Sequence, residues 1–259
     1  MKKPAAKKPK NLISCGDVFR VGSHVIACGD ARDADFVRRV IGKTKVKSVI
    51  VDPPYGVNLI QAKQGFSQLK VSKKILNDDI TSESAYTQFT KDWMIPILSH
   101  LEPKNSFYVF NSDLMIFALR EGMERSGVHF SQMLLWIKNH AVIGRKDYLP
   151  QFEAIAHGWH GRHEFRKRKD RSVFWYPKPN RSPLHPTMKP VPLIRHLILN
   201  ATNIGDTVYD CFSGSGTLAV AAEQVKRSSI CIERDEEYCQ TILGRMEKNF
   251  GLKAGRIKL

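Results

Sequence analysis

The motif Asp52-Pro53-Pro54-Tyr55 carries residue types that could act on an aromatic amine, and it follows an apolar stretch at residues 46–51. Two consecutive prolines cannot continue a sheet ladder, so a strand over 46–51 must end there and present the motif on a loop. The Asp52 carboxylate and the Pro53 carbonyl could then accept hydrogen bonds from an exocyclic amino group. The Tyr55 ring could stack on a flipped base, a contact worth roughly 1–3 kcal/mol. A rigid turn at a strand end is the alternative for this motif alone.

These groups suit one type of reaction. The lone pair of an aromatic amine is delocalised into its ring, and it becomes nucleophilic when its hydrogens are drawn toward acceptors. A sulfonium methyl group held in line with that lone pair would complete a direct displacement, in which positioning supplies much of the rate. Such a reaction requires no covalent enzyme intermediate.

A second motif lies in the last strand-helix-strand unit of the chain. A predicted strand ends in Asp210, the turn Gly214-Ser215-Gly216 follows, and Glu233 ends the next predicted strand. Glycines let the backbone approach a ligand closely, and an acid at the neighbouring strand end can accept both ribose hydroxyls. The unit therefore predicts an adenosine-binding site.

The same unit also matches the dinucleotide pattern G-x-G-x-x-A over residues 214–219. However, Asp210 and Phe212 would place a negative charge and a large ring where a pyrophosphate needs donors and space. In addition, only 43 residues follow Gly216, too few for a second mononucleotide-binding half. S-adenosyl-L-methionine carries sulfonium and ammonium groups that tolerate nearby acids, so it is the favoured cofactor.

Alternating strands and helices must position both motifs. A hairpin is predicted around Gly22, and helices are predicted at 32–42, 82–101, 113–125, 191–202, 218–226 and 235–250. Strands are predicted at 46–51, 106–111, 130–138, 207–210 and 229–233. This spacing indicates an α/β fold with a mostly parallel sheet and helices on both faces. Residues 57–81 are predicted to form a mobile basic loop.

The charge balance points to a polyanionic partner. The chain has 41 Lys+Arg against 25 Asp+Glu, a net charge of +16, and nucleic acid is the usual partner of such a surplus. Residues 1–10 hold five lysines and are predicted to be a disordered basic tail. Residues 160–182 combine eight Lys or Arg with aromatic side chains, a composition that suits contact with phosphates and bases.

The cysteines and apolar runs exclude other classes. Five cysteines without C-x-x-C spacing indicate neither a zinc site nor a disulfide framework. The apolar runs are too short for a membrane span, and the lysine-rich start leads into no signal-peptide core. We therefore expect a soluble cytoplasmic protein without a metal site.

Three motifs in their order along the chain resemble the amino-group DNA methyltransferases of the permuted β class. They are Asp52-Pro53-Pro54-Tyr55, then His185-Pro186-Thr187-Met188-Lys189-Pro190, then Phe212-Ser213-Gly214-Ser215-Gly216. The resemblance covers about residues 17–250. It implies a Rossmann-like fold dependent on S-adenosyl-L-methionine, and a target-recognition region between the first and last motifs.

The resemblance also implies roles for matching residues. The flipped base would be held and activated by Asp52, Pro53 and Tyr55. Within the cofactor site, Lys189 would bind the carboxylate of the cofactor, Glu233 the ribose, and Asp30 with Ala31 the adenine. The full set implied to bind the cofactor is Asp30, Ala31, Asp52, Lys189, Asp210, Phe212, Gly214, Ser215, Thr217 and Glu233.

The recognition region is predicted at about residues 139–183, inside a methyltransferase domain over 11–259. This region is short, so we expect a short or relaxed target sequence in DNA, which we expect to be double-stranded. The predicted phosphate contacts are Arg162, Arg166, Lys167 and Arg168. A homodimer and a companion restriction endonuclease are further expectations from the resemblance.

Particular residues and motifs distinguish this methyltransferase class from the alternative functions. In the family an aspartate at the first motif position favours N6 of adenine and a serine favours N4 of cytosine, so Asp52 favours adenine and cytosine is the runner-up. Carbon-5 cytosine methylation needs a Pro-Cys-Gln context that the chain lacks, and glutamine-protein or guanine-RNA methyltransferases have their cofactor motif first. A catalytically inactive binding module and a nicotinamide oxidoreductase are the alternatives from other classes.

Overall fold

The computed structural model describes residues 13–56, 80, 82–141, 147–166, 170–178 and 188–258. The described strands are β1 (Val18–Val21), β2 (His24–Cys28), β3 (Val46–Val51), β4 (Leu101–Asn111), β5 (His129–Ile137), β6 (Phe152–Trp159), β7 (Arg162–His163), β8 (Val173–Trp175), β9 (Thr207–Asp210), β10 (Ser228–Glu233) and β11 (Ala254–Ile257). The described helices are α1 (Ala34–Ile41), α2 (Glu83–Leu98), α3 (Ile116–Arg125), α4 (Val191–Ala201), α5 (Thr217–Gln224) and α6 (Glu236–Phe250).

The strands form one sheet in the order β11-β1-β2-β10-β9-β3-β4-β6-β5-β8, and β7 pairs with β4. From β2 to β4 every neighbouring pair is parallel, whereas β6 is antiparallel to both β4 and β5. Parallel strands place their carboxyl ends at one edge of a sheet. The ends of β2, β3, β4, β9 and β10 therefore meet at what we call the carboxyl edge.

Helices cover both faces of this sheet, as the sequence predicts. On one face, α1, α2 and α3 bury Phe36, Phe89 and Leu119 in a single apolar cluster. On the other face, α4, α5 and α6 bury side chains in a second cluster with the strands. The predicted α/β class with a mostly parallel sheet is confirmed.

No helix in the described ranges combines the length and apolar character that a membrane crossing requires.

Most predicted elements are present, with shifted ends. The hairpin turns at Gly22, whose φ of 60° suits a glycine. The predicted helix at 82–101 is α2, which Ser82 caps through its side chain and which accommodates Pro96 near its end. The tail at 1–10 and nearly all of the predicted basic loop at 57–81 lie outside the described residues.

One central strand was missing from the sequence prediction. Residues 152–159, within the predicted recognition region, form β6, which lies between β4 and β5 in the main sheet. Its middle residues are buried on both faces, so the sequence FEAIAHGW shows no alternation of apolar and polar residues. The short strand β11 at the other end of the sheet was also not predicted.

The approach of β5 to β6 depends on Gly158. A β-carbon there would lie 1.9 Å from the carbonyl oxygen of His129. We predict that Gly158→Ala lowers the free energy of unfolding by about 1–3 kcal/mol, because the strands must separate locally. As a control, Gly244→Ala in α6 meets no neighbouring atom and should raise stability by about 1 kcal/mol. Thermal or denaturant unfolding measures both, and equal stability of the two variants would contradict the packing described here.

Candidate active site at the carboxyl edge

The Asp52 loop leaves the sheet directly after β3. Pro53 is buried, while Asp52 and Tyr55 are half-buried. The Tyr55 hydroxyl donates to Asp52 Oδ1 over 2.7 Å. Gly56 follows with a φ of +65°, and a β-carbon there would lie 2.0 Å from the carbonyl oxygen of Ile80. A glycine is therefore needed to let the chain leave the loop at this point.

Lys189 enters the same site from the loop before α4. Its ammonium group contacts Asp52 Oδ2 and lies 3.1 Å from Glu153 Oε2. The same nitrogen lies 5.4 Å from the centre of the Tyr55 ring, and only 6% of the Lys189 side chain is exposed. In this structure the ammonium is therefore bound by protein carboxylates, and its predicted role toward the cofactor carboxylate stays a prediction.

Glu153, on β6, is a site residue that sequence reasoning missed. Its Oε2 accepts a hydrogen bond from the Tyr55 hydroxyl over 2.8 Å, and its Oε1 lies 2.8 Å from Nζ of Lys138. Its side chain is only 15% exposed. An acid next to an apolar run is a signal that could have been noticed, since buried carboxylates require partners. We call Asp52, Tyr55, Lys138, Glu153 and Lys189 the charge cluster.

The charge cluster has strongly shifted pKa values. Burial raises the pKa of Asp52; the charge of Lys189 opposes this shift and that of Glu153 adds to it. Burial alone would also raise the pKa of Glu153, but Lys189 and Lys138 outweigh it and lower that pKa to about 2. Burial and the two carboxylates raise the pKa of Tyr55 well above its usual value, so the phenol keeps its proton. Of the two acids, Glu153 is therefore the one whose ionised form the lysines favour.

The glycine turn lies beside the charge cluster because β9 neighbours β3 in the sheet. The N–H of Phe212 donates to Asp210 Oδ1 over 2.9 Å, and the Phe212 ring packs edge-on against Trp93 of α2 at 5.5 Å. Gly216 has a φ of +79° and caps α5, whose first residue is Thr217. The turn thus presents its backbone at the carboxyl edge.

Glu233 and the Gly-Asp element meet at the end of β10. Glu233 Oε2 accepts a hydrogen bond from the N–H of Gly214 over 2.7 Å, and the Glu233 carbonyl accepts one from the N–H of Gly29 over 2.9 Å. Asp30 forms an ion pair with Arg32 at 2.7 Å, and Ala31 is buried. The structure therefore brings the Gly-Asp element, the glycine turn and Glu233 together.

The buried acids of this pocket fit a cationic ligand. Burial raises the pKa of Asp210 well above its usual value and the pKa of Glu233 to about 7. The negative charges of Asp52 and Glu233 push the pKa of Asp210 further in the same direction. A ligand with sulfonium and ammonium groups would relieve this repulsion, and ribose hydroxyls could donate to Glu233. These residues suit S-adenosyl-L-methionine.

Comparisons with known proteins identify the family to which the chain belongs. A family model described as DNA methylase, covering N6 and N4 enzymes, matches residues 46–244. The chain belongs to this DNA methylase family. S-adenosyl-L-methionine, the cofactor predicted from the sequence, is the methyl donor of the family. The type II methyltransferase M.HpaI of Haemophilus parainfluenzae is 25% identical over 234 residues, which cover 80% of this chain and 70% of that protein.

Solved structures share the fold of this DNA methylase. The M1.HpyAVI–SAM complex has a TM-score of 0.63 and 24% identity, covering 85% of this chain and 98% of that one. The PvuII DNA methyltransferase, described as cytosine-N4-specific, has a TM-score of 0.61 and 14% identity, covering 87% of this chain and 93% of that one. Likenesses at these identities concern the fold alone, so the base that the present methylase modifies is a separate question.

The predicted DNA contacts do not share an edge with Asp52. In the register of β7 against β4, Arg162 lies opposite Lys104, near the start of β4. The backbone N–H of Arg166 donates to the carbonyl oxygen of Asn200, at the far end of α4. Asn111, the last residue of β4, is six residues beyond Asn105, or about 20 Å along the strand. Arg162 and Arg166 therefore lie at the edge opposite to Asp52, and their predicted contact with DNA phosphates stays a prediction. Lys167 and Arg168 lie outside the described residues.

We predict that cofactor binding depends on pH through Glu233. A carboxylate accepts ribose hydroxyls better than a carboxylic acid does, and a pKa of about 7 leaves roughly one tenth of Glu233 ionised at pH 6. We predict that the dissociation constant of S-adenosylhomocysteine, measured by calorimetry, is up to about tenfold larger at pH 6 than at pH 8. Glu233→Gln should remove this dependence, and an unchanged pH dependence in that variant would contradict the assignment.

Proposed function

We propose that the chain transfers a methyl group from S-adenosyl-L-methionine to the exocyclic N6 of a flipped adenine in DNA. The observation that carries this proposal is the fixed geometry of Asp52, whose two oxygens contact the Tyr55 hydroxyl and the Lys189 ammonium at the edge where the glycine turn lies. An aspartate at this position favours adenine in the family, as noted from the sequence. The chemistry that the bound cofactor supplies is an electrophilic methyl group.

Asp52 would act by accepting a hydrogen bond from the adenine amino group. Each of its oxygens is held by one donor and retains a lone pair for a second. The half-buried Tyr55 ring lies beside it and offers a face on which the base can stack. Acceptors held in place before the base arrives need no reorganisation during reaction, which is the main source of rate in a displacement of this kind.

The DNA would approach the carboxyl edge, where aromatic side chains are exposed. Phe152 and Trp175 are the register partners of Ile137 on either side, so the three side chains share one face of the sheet. Trp175 is 73% exposed, and Tyr148, between β5 and β6, is 91% exposed. These rings, rather than Arg162 and Arg166, are the described residues that we assign to DNA contact.

N4 of cytosine is the second candidate position. Its amino group presents the same donors as that of adenine, so the acceptors on Asp52 and Pro53 would serve either base. The fold shared with a cytosine-N4-specific enzyme supports keeping this candidate. A companion restriction endonuclease is supported by the description of M.HpaI as a type II methyltransferase. The homodimer and the cytoplasmic location stay predictions from the sequence.

The product identifies the base. The protein is incubated with S-adenosyl-L-methionine and genomic DNA from a host without DNA methyltransferases, and the nucleosides are analysed by mass spectrometry. We expect N6-methyladenine, and we expect Asp52→Ala to lose at least about 10²-fold in rate while still binding S-adenosylhomocysteine, since the other residues implied to bind the cofactor remain in place. N4-methylcytosine as the sole product would exclude adenine.

The exposed tryptophan provides a test of the DNA-facing edge. Trp175→Ala should weaken DNA binding by about 1–3 kcal/mol in a fluorescence anisotropy titration, because a stacking surface is lost. Ile204→Ala is the matched control, since Ile204 is 70% exposed and lies just after α4, at the opposite edge. Equal effects of the two substitutions, or none for Trp175, would remove this edge as the DNA-binding surface.

A further inference from the structure

Glu153 lies in the active site without being part of any motif recognised in the sequence. It is carried by β6, on the sheet face opposite to Phe152, and its backbone is in register with Trp136 of β5. Through its two oxygens it joins three groups from separate parts of the chain: the Tyr55 hydroxyl, the Lys189 ammonium and the Lys138 ammonium. Two of these groups, Tyr55 and Lys189, also contact Asp52.

The Tyr55 hydroxyl has two carboxyl oxygens within hydrogen-bond distance but only one proton to donate. Its oxygen lies 2.7 Å from Asp52 Oδ1 and 2.8 Å from Glu153 Oε2, yet a phenol has a single proton to donate. Both short contacts are satisfied together only when one carboxyl group holds a proton and donates it to the phenol oxygen. Otherwise the hydroxyl proton serves one carboxylate at a time. The protonation state of Glu153 therefore influences the strength of the hydrogen bond between the Tyr55 hydroxyl and Asp52.

The Lys189 ammonium is likewise shared between Asp52 and Glu153. With Asp52 as its only acid, the ammonium would neutralise the carboxylate that must accept the hydrogen bond from the amine. Glu153 supplies a second carboxylate at 3.1 Å and so shares the positive charge. Lys138 in turn balances Glu153, which leaves two acids and two ammonium groups in a neutral set. A buried set of this kind is stable only when every charge keeps its partner.

We propose that Glu153 is a positioning residue for methyl transfer, which acts by holding the Tyr55 hydroxyl and the Lys189 ammonium against Asp52. This inference rests on the proposed function, because it assumes that Asp52 accepts a hydrogen bond from the reacting amine. Glu153 contacts neither substrate nor cofactor in this role. It sets the orientation of Asp52 before the base arrives.

The test compares three variants with the full-length protein. Glu153→Gln keeps the shape of the side chain and an acceptor for Tyr55 but removes the charge. Lys138→Gln combined with Glu153→Gln restores charge balance without restoring the carboxylate. Glu164→Gln is the control, because Glu164 also pairs with a lysine, Lys47 at 2.5 Å, but lies at the opposite edge. Each variant is checked by thermal unfolding and by its affinity for S-adenosylhomocysteine.

The main readout is the single-turnover rate of labelled methyl transfer to genomic DNA at saturating S-adenosyl-L-methionine. We expect Glu153→Gln to slow transfer about 10- to 100-fold while the affinity for S-adenosylhomocysteine changes less than about twofold. We expect the double variant to recover thermal stability but not rate. Glu164→Gln should retain the rate of the unchanged protein. Should Glu153→Gln fail to fold, the charge-balanced double variant provides the same comparison.

The pH profile of that rate separates positioning from a structural role. The titratable groups facing Asp52 are Tyr55 on its own loop, Lys189 before α4, Glu153 on β6 and Asp210 on β9. Glu153 raises the pKa of Asp52, so its removal should lower that pKa and move the acid limb of the profile to lower pH. A structural defect would lower the rate without moving this limb.

Three results would overturn the proposal. They are full activity of Glu153→Gln, a slower rate in Glu153→Gln without movement of the acid limb, and recovery of the rate in the double variant, which would reduce Glu153 to a counter-ion for Lys138. The label records methylation of any base, so these outcomes are independent of adenine specificity. The separate analysis of the product tests the proposed function. Wild-type transfer to cytosine alone would overturn the choice of adenine and leave the result for Glu153 valid.

Discussion

The buried charge cluster is the constraint on which the site depends. Two acids and two ammonium groups lie together with one phenol, and removing any charged group from such an arrangement leaves an uncompensated buried charge. The cluster joins the end of β3, the end of β5, the start of β6 and the loop before α4. Asp52, the side chain that we propose meets the reacting amine, is thus held by residues 101 and 137 positions away in the chain.

The sheet makes this convergence possible. Parallel strands bring the Asp52 loop, the glycine turn and the end of β10 to one edge, although about 160 residues separate the Asp52 loop from the glycine turn in the chain. The register of β9 against β3, in which Val208 is the partner of Ser48, places the two motifs side by side. The antiparallel strand β6 adds Glu153 to the same edge because its amino end, and not its carboxyl end, lies there.

Much of the site could be predicted from sequence because its motifs are local. Asp52, Asp210 and Glu233 each end an apolar strand, and strand ends of a parallel sheet share an edge whatever the details of packing. Glu153 and Lys138 could not be predicted in the same way, since their pairing depends on the register of a strand that was not foreseen. Arg162 and Arg166 were assigned from composition, which does not specify an edge. The chain reverses through β6 before reaching them and carries them to the opposite edge.

The proposed role of Glu153 requires that it act through Asp52. A double-mutant cycle with Asp52→Asn and Glu153→Gln, measured on the single-turnover rate of methyl transfer, tests it most directly. Asparagine retains an acceptor oxygen but carries no charge to be positioned. We predict that Glu153→Gln slows the Asp52→Asn protein by no more than about threefold, against about 10- to 100-fold in the unchanged protein. If the loss in rate of the double variant equals the product of the two single losses, Glu153 does not act through Asp52 and the proposal is contradicted.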